Sequence, residues 1–87
     1  MGVDTDSGVG LGVLRTYDLV FLNKGDLLLY SCGVGENLLA ATVTVVEVFL
    51  DKERCRVKVE AIVKQGQLNE ASLGDIIYAI PGDLSKP

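Results

Sequence analysis

From Leu38 to Lys64 the chain reads as two long, β-branched apolar runs joined by a short charged turn, Asp51-Lys52-Glu53-Arg54. In the second run Cys55, Val57, Val59, Ala61 and Val63 share one parity, and Arg54, Arg56, Lys58, Glu60 and Lys64 share the other. Such alternation predicts a strand with one face buried and one in water. A four-residue loop at 51–54 would set Leu50 opposite Cys55, Val48 opposite Val57 and Val46 opposite Val59. The same register faces Glu47 to Lys58 and Phe49 to Arg56 on the outer side. In the first run the phase slips. Val43 and Val45 are apolar against Thr42 and Thr44, whereas Val46, Val48 and Leu50 are apolar against Glu47. A one-residue slip moves the apolar set to the opposite face, and a β-bulge near Val45 and Val46 restores it. A bulge also bends a long strand, which lets a small sheet curl toward a barrel.

The flanking stretches are shorter. Residues 11–22, LGVLRTYDLVFL, predict one strand, or two with a kink near Asp18. Asn23-Lys24-Gly25 is a turn, and Asp26–Cys32 (DLLLYSC) predicts a strand buried on both faces or lying at a subunit contact. After Gln65-Gly66-Gln67, residues 68–73 (LNEASL) are too short for an independent helix and predict one helical turn. Asp75–Ile80 predicts the last strand, ended by Pro81, which has no N–H to give to a ladder. Residues 1–10 read as a flexible leader, 11–80 as a single domain and 81–87 as a polar tail. One echo stands out: Lys24-Gly25-Asp26-Leu27 and Leu73-Gly74-Asp75-Ile76 each join a Gly-Asp turn to an apolar strand.

Composition narrows the function. Eighty-seven residues allow one small domain, and with no tryptophan and five other aromatics its core must be Val, Leu and Ile. A mean hydropathy of +0.34 on so short a chain implies apolar surface left for a partner or a second copy. The net charge of −4 disfavours a nucleic-acid binder, which gains affinity by neutralising phosphates. There is no histidine, the commonest general base and neutral metal ligand, so no catalytic residue, metal site or cofactor is expected. Cys32 and Cys55 are not a CxxC pair; two reduced core thiols, one disulfide, or a reactive or metal-bound thiol remain open. No run reaches the roughly 18 apolar residues of a membrane span, and the first residues lack the form of a signal peptide. Localisation is left open, with the cytoplasm as default.

Candidate chemistry is sparse. Asp6-Ser7-Gly8 is the aspartic-protease tripeptide, but only five residues precede it, where a hydrophobic run and a buried strand are needed. The glycines at 8–12 and 33–35 are followed by strand-like sequence rather than by the helix N-terminus that receives a phosphate. Asp26 and Asp75 read as turn-forming residues rather than an acid–base pair. Ser31-Cys32 has no histidine to activate it. The outward residues Arg54, Arg56, Lys58 and Lys64 form a basic stripe, the one candidate partner-contact face; as a solvated face it would discourage edge aggregation. Only Phe49 interleaves with it, a weak basis for nucleotide stacking.

Taken together, Gly25-Asp26 opening a strand, a long bent hairpin, a helical turn, then Gly74-Asp75 opening the closing strand resemble small bacterial SH3-like β-barrel domains. The C-terminal module of a flagellar assembly protein is an example. The resemblance covers about residues 23–80 and rests on turns and strands, without a functional motif. It implies an all-β, five- to six-stranded SH3-like barrel, or alternatively an OB-like one. It also implies a non-catalytic protein-interaction or assembly module; the leading reading makes that module a homo-oligomer or part of a larger assembly, with the 11–22 segment pairing along a sheet edge or across subunits. The alternative function is a small-ligand or nucleic-acid binder using the basic face of the 38–64 hairpin.

Overall fold

The computed structural model describes residues 12–87. The leader at 1–10, with Asp6-Ser7-Gly8, lies outside the described residues. The fold is all-β: among the described residues five antiparallel strands, β1 (Leu27–Cys32), β2 (Leu39–Phe49), β3 (Arg54–Lys64), β4 (Ile76–Ala79) and β5 (Leu84–Ser85), form one sheet in the order β4-β3-β2-β1-β5. The helical elements among the described residues are short 3₁₀ segments.

Alternation decides which face is buried. Leu39, Ala41, Val43 and Val45 of β2 and Cys55, Val57 and Val59 of β3 point inward with Leu28 and Tyr30 of β1, Ala79 of β4 and Leu84 of β5. Each fully buried valine contributes about 1.5–3 kcal/mol by leaving water. The predicted phase slip is present. Val45 pairs with Val57 and Glu47 with Arg56, so Val46 is the extra residue of a bulge, and Val48 returns to pack against the core.

The rest of the hairpin differs from the sequence expectation. Its loop is Leu50–Glu53 rather than 51–54, closing Phe49 on Arg54. The reason is local: Leu50–Lys52 form a 3₁₀ turn, and Glu53 ends it in the left-handed region at φ 55. Glu47 therefore faces Arg56 and not Lys58. β3 is not straight either. Val59 pairs with Val43 and Ala61 with Thr42, leaving Glu60 as the extra residue of a second bulge, and Val63 is a third irregularity. Ala61 and Val63 are consequently exposed, and Ile62 packs on the core instead.

Over the described residues 12–22 the strand expected for 11–22 does not form. Their share of the sheet is a single bridge from Val13 to Ser85 beside β5. Thr16–Phe21 is 3₁₀, because the Asp18 carboxylate accepts the Arg15 N–H at 2.8 Å while the Asp18 N–H donates to the Arg15 carbonyl at 2.9 Å. A period of three then turns Leu19 and Leu22 inward and leaves Tyr17, Val20 and Phe21 in water. β1 buries one face only; Leu27 and Leu29 on its other face stay exposed.

The helical turn expected at 68–73 is absent because side chains take the backbone groups it would need. Gln65 accepts the Ala71 N–H at 3.0 Å and donates to the Ala71 carbonyl at 2.6 Å, and Asn37 Oδ1 accepts the Leu68 N–H at 2.9 Å. Residues 81–87 are more than a polar tail: Pro81 and Leu84 are buried, and β5 pairs with β1.

The sheet curls without closing, since no ladder joins β4 to β5. Ile80 and a 3₁₀ turn, Pro81–Asp83, alone carry the chain between these edges. That link spans roughly 13 Å, whereas the edges of a flat five-stranded sheet stand about 19 Å apart. The sheet must therefore roll toward itself, and the bulges supply the bend.

Candidate binding surface

Three of the four basic residues singled out from the sequence come together. Arg54, Arg56 and Lys58 project from the outer face of β3 and are exposed. Lys64 does not join them: beyond the bulges at Glu60 and Val63, its ammonium donates to the Gly35 carbonyl at 3.2 Å at the far end of the sheet.

Aromatic rings interleave with the arginines more than the sequence suggested. The Arg56 guanidinium lies over Phe49 at 5.4 Å and that of Arg54 over Tyr78 at 5.8 Å, while the two rings meet edge-on at 5.6 Å. Tyr78 belongs here because β4 pairs it with Arg56. The signal for it was the shared parity of Ile76, Tyr78 and Ile80, which puts all three on the outward side. Exposed cation–π contacts of this kind contribute about 0.5–1 kcal/mol each. Glu47 sits 3.9 Å from Arg56, a weak exposed pair. The other outward glutamate, Glu60, accepts the Thr44 hydroxyl at 2.7 Å.

At the hairpin tip this face opens into a groove of about 570 Å³. Leu14, Tyr17, Ile80 and Pro81 give it apolar surface, and Arg15, Lys52 and Arg54 bring three cations from three separate elements, beside one acid, Glu53. Nothing in the local sequence marked Arg15 or Lys52, since their convergence comes from the 3₁₀ segment and the hairpin loop meeting in space. No protein-family model matches this chain, and comparison with curated proteins and with solved structures returns no match.

The remaining candidates resolve into structural roles. The Asp26 carboxylate accepts the Asn23 N–H at 2.8 Å, and the Asp75 carboxylate accepts the Ser72 N–H at 2.8 Å. Asp18 and Asp26 border a second hollow of about 440 Å³ beside Leu22, Leu28 and Lys86, with one oxygen of each already committed to its turn. Cys32 and Cys55 are free thiols. Cys32 is level with Leu39 and Cys55 with Val48, at opposite ends of β2. The nine steps from Leu39 to Val48 amount to roughly 30 Å of strand, far beyond the ~7 Å Cα reach of a disulfide. Burial pushes the Cys55 thiol above its usual range. The Tyr30 phenol is pushed up to about 12, first by burial and then by its hydrogen bond with Cys32 and the negative charge of Cys32 and Asp83. Among the described residues no group of three or more His, Cys, Asp or Glu is placed to hold a metal ion. No helix there is long and apolar enough to cross a membrane.

Proposed function

We propose that this chain is a non-catalytic interaction module on an SH3-like sheet, and that it assembles with a second copy of itself along β4. The strand order supports the architecture: a four-strand meander, one 3₁₀ turn, and a short last strand returning beside the first.

The observation that carries the assembly is the state of the two sheet edges. Beside β5, Leu14 N–H donates to the Leu84 carbonyl at 2.9 Å and Lys86 N–H to the Gly12 carbonyl at 2.8 Å, so that edge is partly covered. Among the described residues nothing pairs with the free side of β4. Natural edges are guarded by charge, proline or a bulge. β4 reads Ile-Ile-Tyr-Ala, and its outward Ile76 and Tyr78 are about half exposed, at 52% and 49%. An uncharged strand pairs with its own copy around a two-fold axis without juxtaposing like charges.

The test is sedimentation velocity over a wide concentration range, with Tyr78→Lys beside the native chain. Self-association that the lysine abolishes, with the fold intact, is the expected result; a monomer at every concentration overturns it. The arginine–aromatic row favours a second reading, an anionic ligand such as single-stranded nucleic acid on an OB-like sheet. Glu47 and the net charge of −4 oppose it, and retention on heparin that salt releases would support it.

A further inference from the structure

We propose that the groove at the hairpin tip receives an acidic peptide segment, carrying apolar side chains among its carboxylates, from a partner protein. The inference rests on the interaction-module reading but not on self-association through β4.

Charge is the first argument. The chain holds twelve acidic and eight basic residues, yet the groove gathers Arg15, Lys52 and Arg54 against Glu53 alone. None of these three cations takes part in an ion pair among the described residues, where Arg56–Glu47 is the pair formed. The Arg54 guanidinium lies over the Tyr78 ring at 5.8 Å, and no carboxylate among the described residues pairs with it, so its N–H donors are available to an incoming one. The three arrive from the start of the 3₁₀ segment, the hairpin loop and the first residue of β3. A solvated strand face would explain one of them; it does not explain three elements delivering cations to one hollow.

Shape and neighbouring charge select the kind of anion. Pro81 and Leu14 are buried at the base of the groove, while Tyr17 and Ile80 stand beside it, 65% and 41% exposed. A simple anion leaves that apolar surface wet, whereas a peptide side chain covers it. A nucleic-acid strand carries charge along its whole length, and beyond the groove it runs over a chain of net charge −4, with Glu47 beside Arg56 on the outer face. A short acidic segment spends its charge inside the groove.

The experiment titrates the isotope-labelled chain with a synthetic peptide alternating glutamate and leucine. The comparison arms are the same peptide with glutamine in place of glutamate and a single-stranded oligothymidine of equal length. The expected result is saturable binding of the glutamate peptide, weakened by salt, with amide shifts centred on Arg15, Lys52, Arg54 and Gly82. Lys52→Glu weakens it about tenfold or more. Lys24→Glu, the same charge change at a turn outside the groove, leaves it within about twofold. Equal binding of the glutamine peptide overturns the proposal. So does tighter binding of the oligonucleotide, a shift map centred on β4, or an equal effect of the two reversals. A chain that stays monomeric but binds the peptide sinks the self-association alone; a dimer that ignores the peptide sinks the groove alone.

Discussion

At the scale of single residues, two buried ionisable groups set the alkaline limit of the fold. The Cys55 thiol and Tyr30 phenol are neutral when protonated, and burial raises both above their ordinary values of 9.0 and 10.0. Above those values the unfolded chain loses protons that the folded chain retains, so stability is full below pH 9 and falls as pH rises toward about 12, where Tyr30 ionises. Denaturant midpoints measured across this window should decline steadily, and Cys55→Ala should remove the early part of the decline. Stability that stays flat from pH 9 to 12 would contradict the burial of both groups. Gly66 imposes a different limit. A Cβ there would lie 2.5 Å from the Asn37 carbonyl oxygen and 2.7 Å from its carbon, and backbone cannot swing aside as a side-chain end can. Gly66→Ala is therefore expected to cost about 1–3 kcal/mol, read from the urea midpoint.

The elements repeat one device. Gly25 N–H donates to the Val45 carbonyl at 2.8 Å, and Val45 N–H donates to the Asp26 carbonyl at 2.9 Å. Gly74 N–H donates to the Val59 carbonyl and Val59 N–H to the Asp75 carbonyl, each at 2.8 Å. The echoed Gly-Asp turns thus lock β1 and β4 onto β2 and β3 at the residues just before the bulges at Val46 and Glu60. Asp26→Ala and Asp75→Ala should each lose about 1 kcal/mol by thermal or urea unfolding, the usual effect of removing a side-chain cap. A change at only one turn would show that the two are not equivalent. The echo and the first bulge were legible in the sequence because valine against glutamate shows its face plainly. The second bulge is masked because Ile62 and Val63 are adjacent and both apolar, so either phase fits the sequence, and only the fold shows that Ile62 packs on the core while Val63 is exposed. The 3₁₀ segment at Thr16–Phe21 is hidden for a related reason: imperfect alternation suits a strand kinked near Asp18 as well as a 3₁₀ turn, and only the capping role of Asp18 separates the two. As for the candidate surface, the hairpin displayed its arginines openly, but Tyr78, Arg15 and Lys52 reach them through pairings between distant segments, which no local pattern encodes.

For the whole molecule, the strand order sets a gradient of local stability. β2 and β3 are interior strands with partners on both sides and carry all the buried valines among the described residues. β4 is four residues long at a free edge, and β5 is two residues long. Amides of β2 and β3 should therefore exchange with solvent only through global opening, and those of β4 through a cheaper local one. Native-state hydrogen exchange should rank β2 and β3 above β1, and β1 above β4. The same measurement bears on assembly, because a second copy pairing along β4 would occupy the N–H groups that face away from β3. Their protection should then rise with protein concentration while that of β2 and β3 stays constant, and Tyr78→Lys should cancel the rise. Were protection to grow in β1 instead, around the exposed Leu27 and Leu29, the copies would be meeting through the opposite side of the sheet and β4 would be the wrong edge. Protection independent of concentration everywhere would leave a monomer whose open edge is tolerated because it is short.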